Sequence, residues 1–190
     1  MSMSALPRLS RLLSIVEWGL STLAAIATFA VMITVILDVT MRYVFVAPLA
    51  WSYDLISLYL MVAVFFLALG DTLHHHGHIA IDLLQPHMPV RLRHIGEAIG
   101  YALTTVLVGM IAWEGFDRMA TAFANREVTP TVIQWPTWPA YLFVVVGALS
   151  LMLRAAYRTV GHIASAIAGH ALVELPPPPE TEQPVGGISA

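Results

Sequence analysis

The chain is 190 residues long, 58% hydrophobic and 11% charged, with a mean hydropathy of +0.76; soluble domains carry about 45–50% apolar and about 25% charged residues, so a water-soluble domain is excluded. There is no cysteine, which removes a disulfide framework, a thiolate metal site and a cysteine nucleophile from consideration. The formal charge of −3 gives no sign of a nucleic-acid partner; what informs is where the arginines fall, since every basic residue is an arginine.

Four apolar blocks reach the roughly 20 residues that a membrane-spanning helix needs, at 12–37, 52–73, 95–116 and 138–157. The expected fold is therefore an all-α integral membrane protein with four transmembrane helices, occupying 12–160. The first block follows Arg8 and Arg11, and "AAIA" at 24–27 mimics a signal cleavage site. Its apolar run continues far beyond the roughly 7–15 residues of a signal peptide, so it reads as an uncleaved anchor behind a short N-terminal segment, 1–11.

The stretch "DVTMRYVFVAPLAWSYDL" joins the first two blocks. Asp38 and Arg42 are four apart and can pair along one helix face. Trp51 is an interfacial anchor, Ser52 is placed to cap the second span, and Asp54 enters that span just inside Trp51. Arg42, Trp51 and Asp54 are candidates for a subunit contact.

"LGDTLHHHGHIAIDLL" follows at 69–84. A helix continued through it would align Asp71, His74, His75 and His78, a ligand-like spacing. Gly77 invites the helix to end there, and no second ligand cluster is evident, so the stretch reads as a polar helix end and turn. No metal is assigned.

In the third block, Gly96 and Gly100 form a small-xxx-small pair that permits close helix approach, and both are candidates for a packing interface. The fourth block opens at "PTWPAYL", where Pro139 suits the first turn of a helix. Beyond Tyr157, Val160, Ile163 and Ile167 recur at helical spacing, and 161–172 either extends the last helix or lies on the membrane surface. The tail at 173–190 is proline-rich and is expected to be disordered.

Arg8, Arg11, Arg91, Arg93, Arg154 and Arg158 fall on one side of this four-span arrangement, and Arg42, Arg118 and Arg126 on the other. Both termini are therefore expected in the cytoplasm. The span centres at 18–37, 55–70, 98–113 and 140–153 contain no Asp, Glu, Lys, Arg or His. Ion pathways and proton relays usually need such residues, so the chain looks ill-equipped to transport alone. The eight histidines all fall at expected helix ends, loops or surface, which disfavours bis-histidine haem. No Gly-x-Ser-x-Gly, His-Glu-x-x-His or phosphate-loop pattern is present, and no catalytic residue or cofactor is assigned.

Three segments in order carry a resemblance: "DVTMRYVFVAPLAWSYDL", "FFLALGDTLHHHGHIAIDLL" and "PTWPAYLFVVVGALSLMLRAA". Across about 12–157 the chain resembles the small (DctQ-type, Q) membrane subunit of tripartite ATP-independent periplasmic (TRAP) transporters. Arg42, Pro48, Trp51, Asp54, Gly70, His78, Asp82, Gly147 and Arg154 occupy pattern positions of that family. Asp54 stands where the family more often has Glu, and Val145 or Val146 where a proline is common.

The resemblance implies a multi-pass protein of the bacterial inner membrane. Its partners would be a large membrane subunit that carries the substrate and sodium sites, a periplasmic binding protein that delivers an organic acid, and membrane lipids. The small subunit would brace the large one without catalysis. The resemblance also makes His78 and Asp82 a patterned pair in a structural turn. The alternatives are a haem- or quinone-linked anchor of a respiratory enzyme and a small self-sufficient exporter.

Overall fold

The computed structural model describes residues 5–74, 89–131 and 133–168. Among these the chain is helical, with one isolated β-bridge between Val128 and Pro136. Helix α1 runs Ala5–Val44. Next come α2 (Ser52–Asp54), a π-helical segment (Leu55–Leu60) and α3 (Met61–His74), continuous with one another. Helices α4 (Val90–Ala124) and α5 (Trp138–Ala168) complete the fold. Four of the resulting rods are long and apolar enough to cross a membrane, so the protein is a multi-pass, all-α membrane protein.

The helices outrun the apolar blocks. With 40 residues in α1, a rise of 1.5 Å per residue gives about 60 Å, twice the roughly 30 Å of the hydrocarbon core. Hydropathy marks where a helix meets lipid; the backbone ladder continues until a breaker stops it. Helix α5 thus continues unbroken past Tyr157 through Val160 and Ile163 to Ala168.

The breakers are local. Pro89, extended at φ −61° and ψ 146°, sets the start of α4. At its other end Arg126 adopts the left-handed conformation (φ 53°), while the Glu127 N–H donates to Ala122 O at 2.9 Å and that of Arg126 to Phe123 O at 3.3 Å. This is the Schellman pattern that satisfies terminal carbonyls. Two residues past the end of α1, Val46 is also left-handed (φ 54°). That is an unfavourable place for a β-branched residue, and Pro48 follows.

Packing is a row rather than a square bundle. Helix α3 lies between α1 and α5, and α5 lies between α3 and α4. Helix α1 reaches α5 only at a limited seam, and α4 rests on α5. The junction of α1, α3 and α5 is filled by Ala24, Ala27, Ala63 and Leu67, with Phe143 and Val146 against them. Small side chains there let backbones approach closely, which is how helices gain contact where lipid removes the hydrophobic incentive. The closest approach is at Gly147, where a Cβ would lie 2.2 Å from the Phe66 carbonyl oxygen.

Candidate functional site

The corner where α1 turns into α2 is held by one ion pair. Arg42, in the last turn of α1, donates from Nη2 to Asp38 Oδ2 at 2.7 Å, with its side chain 58% exposed. The other Asp38 oxygen accepts the Leu49 N–H at 3.0 Å. Asp38 thereby ties the end of α1 to the loop that turns into α2. Its partner Arg42 bridges to Asp38 rather than to Asp54, which sits half-buried at the end of α2. Trp51, also half-buried, holds the N-cap position of α2 and makes no side-chain cap bond. Ser52 does not cap the helix as expected: its hydroxyl donates to Leu49 O at 2.9 Å, so the loop has claimed it.

Gly96 and Gly100 lie on α4, and a methyl group added at either would meet nothing within 4 Å. The intrachain seams use other glycines. A Cβ at Gly70 would fall 2.4 Å from Ser150 Oγ, which joins α3 to α5. His75, His76, Gly77, His78 and Asp82, together with the tail at 173–190, lie outside the described residues, and α3 is described as far as His74.

Of the most buried charges among the described residues, Glu17 was absent from the expected site residues and Arg154 stood only among the positions the resemblance marks. Glu17 on α1 and Arg154 on α5 are 1% and 2% exposed. Arg154 Nε donates to Glu17 Oε1 at 2.7 Å, and Nη2 donates to Glu17 Oε2 and to Ser14 Oγ at 3.1 Å. Nη1 reaches Ser10 Oγ at 3.5 Å. The guanidinium fork covers both carboxylate oxygens, the geometry in which arginine outperforms lysine. An ionisable side chain inside a membrane span is by default a candidate for ion passage. Here both carboxylate oxygens are engaged by the arginine, so the chemistry available is a clasp between α1 and α5.

Both residues stand one position outside the charge-free windows at 18–37 and 140–153. The signal was present: Glu17 interrupts "SIVEWGL" within an otherwise apolar block, and an acid so placed needs a basic partner.

A second buried cluster corrects the placing of every histidine at ends or surface. His94 on α4 and His162 on α5 are 1% and 0% exposed, with their Nδ1 atoms 3.0 Å apart. One ring must donate and the other accept, so they hold opposite tautomers. Tyr101 stacks on His162 with centroids 5.5 Å apart, and Arg158 lies over the Tyr101 ring at 5.6 Å with Nη1 donating to its hydroxyl at 3.3 Å. Two imidazoles in direct hydrogen-bond contact bind each other and leave no gap for a porphyrin between them. Like the ion pair, the cluster fastens helices together.

At the end of the molecule bearing the 125–137 loop, aromatic side chains gather. Tyr59 packs edge-on against Trp135 at 5.7 Å and its hydroxyl donates to Pro136 O. Phe123 meets Trp138 the same way at 5.7 Å. Amphipathic rings at one level are the mark of a membrane–water boundary.

Comparison with family models finds that the one described as "Tripartite ATP-independent periplasmic transporters, DctQ component" matches residues 31–165, more than two thirds of the chain. Comparisons with curated proteins and with solved structures return no match.

Proposed function

Because the chain belongs to the DctQ family of tripartite ATP-independent periplasmic transporters, we propose that it is the non-catalytic small membrane subunit of such a system, bracing the large membrane subunit. In this reading the large subunit binds substrate and sodium, a periplasmic binding protein delivers an organic acid, and the chain sits in the inner membrane with both termini cytoplasmic. The family match carries the reading. The clasped Glu17–Arg154 pair supports it, since that carboxylate is committed to holding helices together. So does the row of helices, which leaves broad apolar faces on α1 and α4, with Phe29, Ile99 and Leu103 all exposed. The arginine distribution supports the orientation.

The test is recovery and transport together. The tagged chain, solubilised mildly, is expected to bring down a large multi-span protein. Proteoliposomes holding the chain alone are expected to show no uptake driven by a sodium or proton gradient. Uptake by the lone chain, lost on omitting it, would replace the brace with a self-sufficient transporter.

Two surface regions are proposed as contacts with the large subunit. At the outer corner, Arg42→Ala and Asp54→Asn are each expected to lower recovery of the large subunit while the small one remains inserted. Normal recovery and uptake by both variants, at matched expression, would return these residues to loop anchoring. On α4, the open space beside Gly96 and Gly100 gives a sharper expectation. Replacing both with leucine should not destabilise the isolated chain, since nothing obstructs the added side chains and leucine is the better helix former, yet should reduce recovery of the partner. Unchanged recovery would place that face against lipid.

A further inference from the structure

A groove of about 880 Å³ runs between α4 and α5. Along α4 it extends from Thr105 to Arg118, a rise of about 20 Å. That is the depth of one bilayer leaflet with its headgroups, half of about 40–45 Å. The inner part is apolar, lined by Val106, Met110 and Val144. Glu114 and Arg118 line its boundary end together with Tyr141.

The charges at that end are specific in sign and number. Arg118 Nε donates to Glu114 Oε1 at 2.9 Å, and the two side chains are 64% and 63% exposed. That bond uses Arg118 Nε and one Glu114 oxygen, and no other hydrogen bond engages the Arg118 Nη groups or the second Glu114 oxygen among the described residues. The mouth therefore presents one cation beside one carboxylate. A lipid bearing only a negative headgroup would find its phosphate welcomed by Arg118 and repelled by Glu114. A headgroup carrying a phosphate and an ammonium complements both.

We propose that this groove holds one acyl chain of an aminophospholipid such as phosphatidylethanolamine, with its phosphate on Arg118 and its ammonium on Glu114. Tyr141 and the exposed Trp113 flank the headgroup at the level that amphipathic rings prefer. A transmembrane helix of another protein is the competing occupant. It would need its own matched cation and anion at this depth.

The experiment uses the full chain in nanodiscs of equal parts phosphatidylethanolamine and phosphatidylglycerol, followed by mild extraction and native mass spectrometry. One phosphatidylethanolamine per chain is expected to survive, in excess over phosphatidylglycerol. Arg118→Ala should lower its retention at least about tenfold, the scale of one charge-assisted hydrogen bond. Glu114→Arg should reverse the preference toward phosphatidylglycerol. Retention of both lipids in the bulk ratio by the wild-type chain overturns the proposal, a result that requires no variant to fold. An unchanged preference in Glu114→Arg also overturns it, as does photocrosslinking from position 113 to a protein in native membranes instead of to lipid.

Discussion

Replacing Arg154 alone with leucine is expected to cost the chain about 3–5 kcal/mol of stability, the price of leaving one member of a buried ion pair without the other. Glu17 would remain 1% exposed in the native geometry, its negative charge no longer met by the guanidinium that engages both its oxygens. Membrane or soluble, domains hold a margin of about 5–15 kcal/mol, so this is a large share of the total. Glu17→Leu should do comparable damage by stranding the guanidinium. The double change Glu17→Leu with Arg154→Leu should recover most of the loss, since apolar residues of similar volume replace buried pairs at little cost. Arg154→Lys should fall between, because an ammonium cannot fork across both oxygens. Unfolding in a fixed detergent gives the four free energies of the cycle. Additive single changes would mean that the two side chains act independently and that no clasp exists.

Gly147→Ala is the smallest substitution expected to have a large effect. The added methyl would lie 2.2 Å from Phe66 O, 2.5 Å from Phe66 C and 2.8 Å from Phe66 Cβ. The nearest of these is backbone, so no rotamer change can make room, and α3 must retreat from α5. Overpacking of that kind typically costs about 1–3 kcal/mol, and more where a whole helix moves. The retreat would also loosen Phe143 and Val146 against Ala63 and Leu67. Gly70→Ala provides the control, because its obstacle is a side-chain atom, Ser150 Oγ at 2.4 Å. Combining it with Ser150→Ala should restore stability, whereas no single side-chain trimming should rescue Gly147→Ala. If thermal unfolding of Gly147→Ala matches that of the unaltered chain, α3 and α5 are not in backbone contact.

The sequence made the four helices legible because each is an apolar run bounded by prolines, and lipid imposes that pattern on any spanning helix. It also showed the Asp38–Arg42 pair, a local spacing on one helix. The ends of the helices were hidden, since hydrogen bonding in a helix continues past the apolar stretch that reveals it. The clasp was hidden for a different reason. Glu17 and Arg154 are 137 positions apart, and His94 and His162 are 68 apart; only the order of helices in the row brings them together. The glycines show the limit most plainly. Gly96 and Gly100 carry the recognised spacing yet face open space, while Gly147, with no glycine partner four residues away, sits against a neighbouring backbone. Spacing along one helix cannot report what stands opposite.

The distance along the chain between Glu17 and Arg154 also sets an order of events during synthesis. At about 5–20 residues per second, the 137 positions between them take roughly 7–27 s to emerge from the ribosome. Throughout that interval Glu17 lacks Arg154, the base that engages both its oxygens in the folded chain, and α3 has no α5 to pack on. The nascent chain must therefore wait, with Glu17 held near the headgroups or neutralised, until its final helix arrives. Maturation is governed from the far end: α5 closes the clasp, covers α3 and receives α4 in one step. A chain cut short before Arg154 would contain three of its four spans and still be an orphan, recognisable to membrane quality control by the single carboxylate it could not bury.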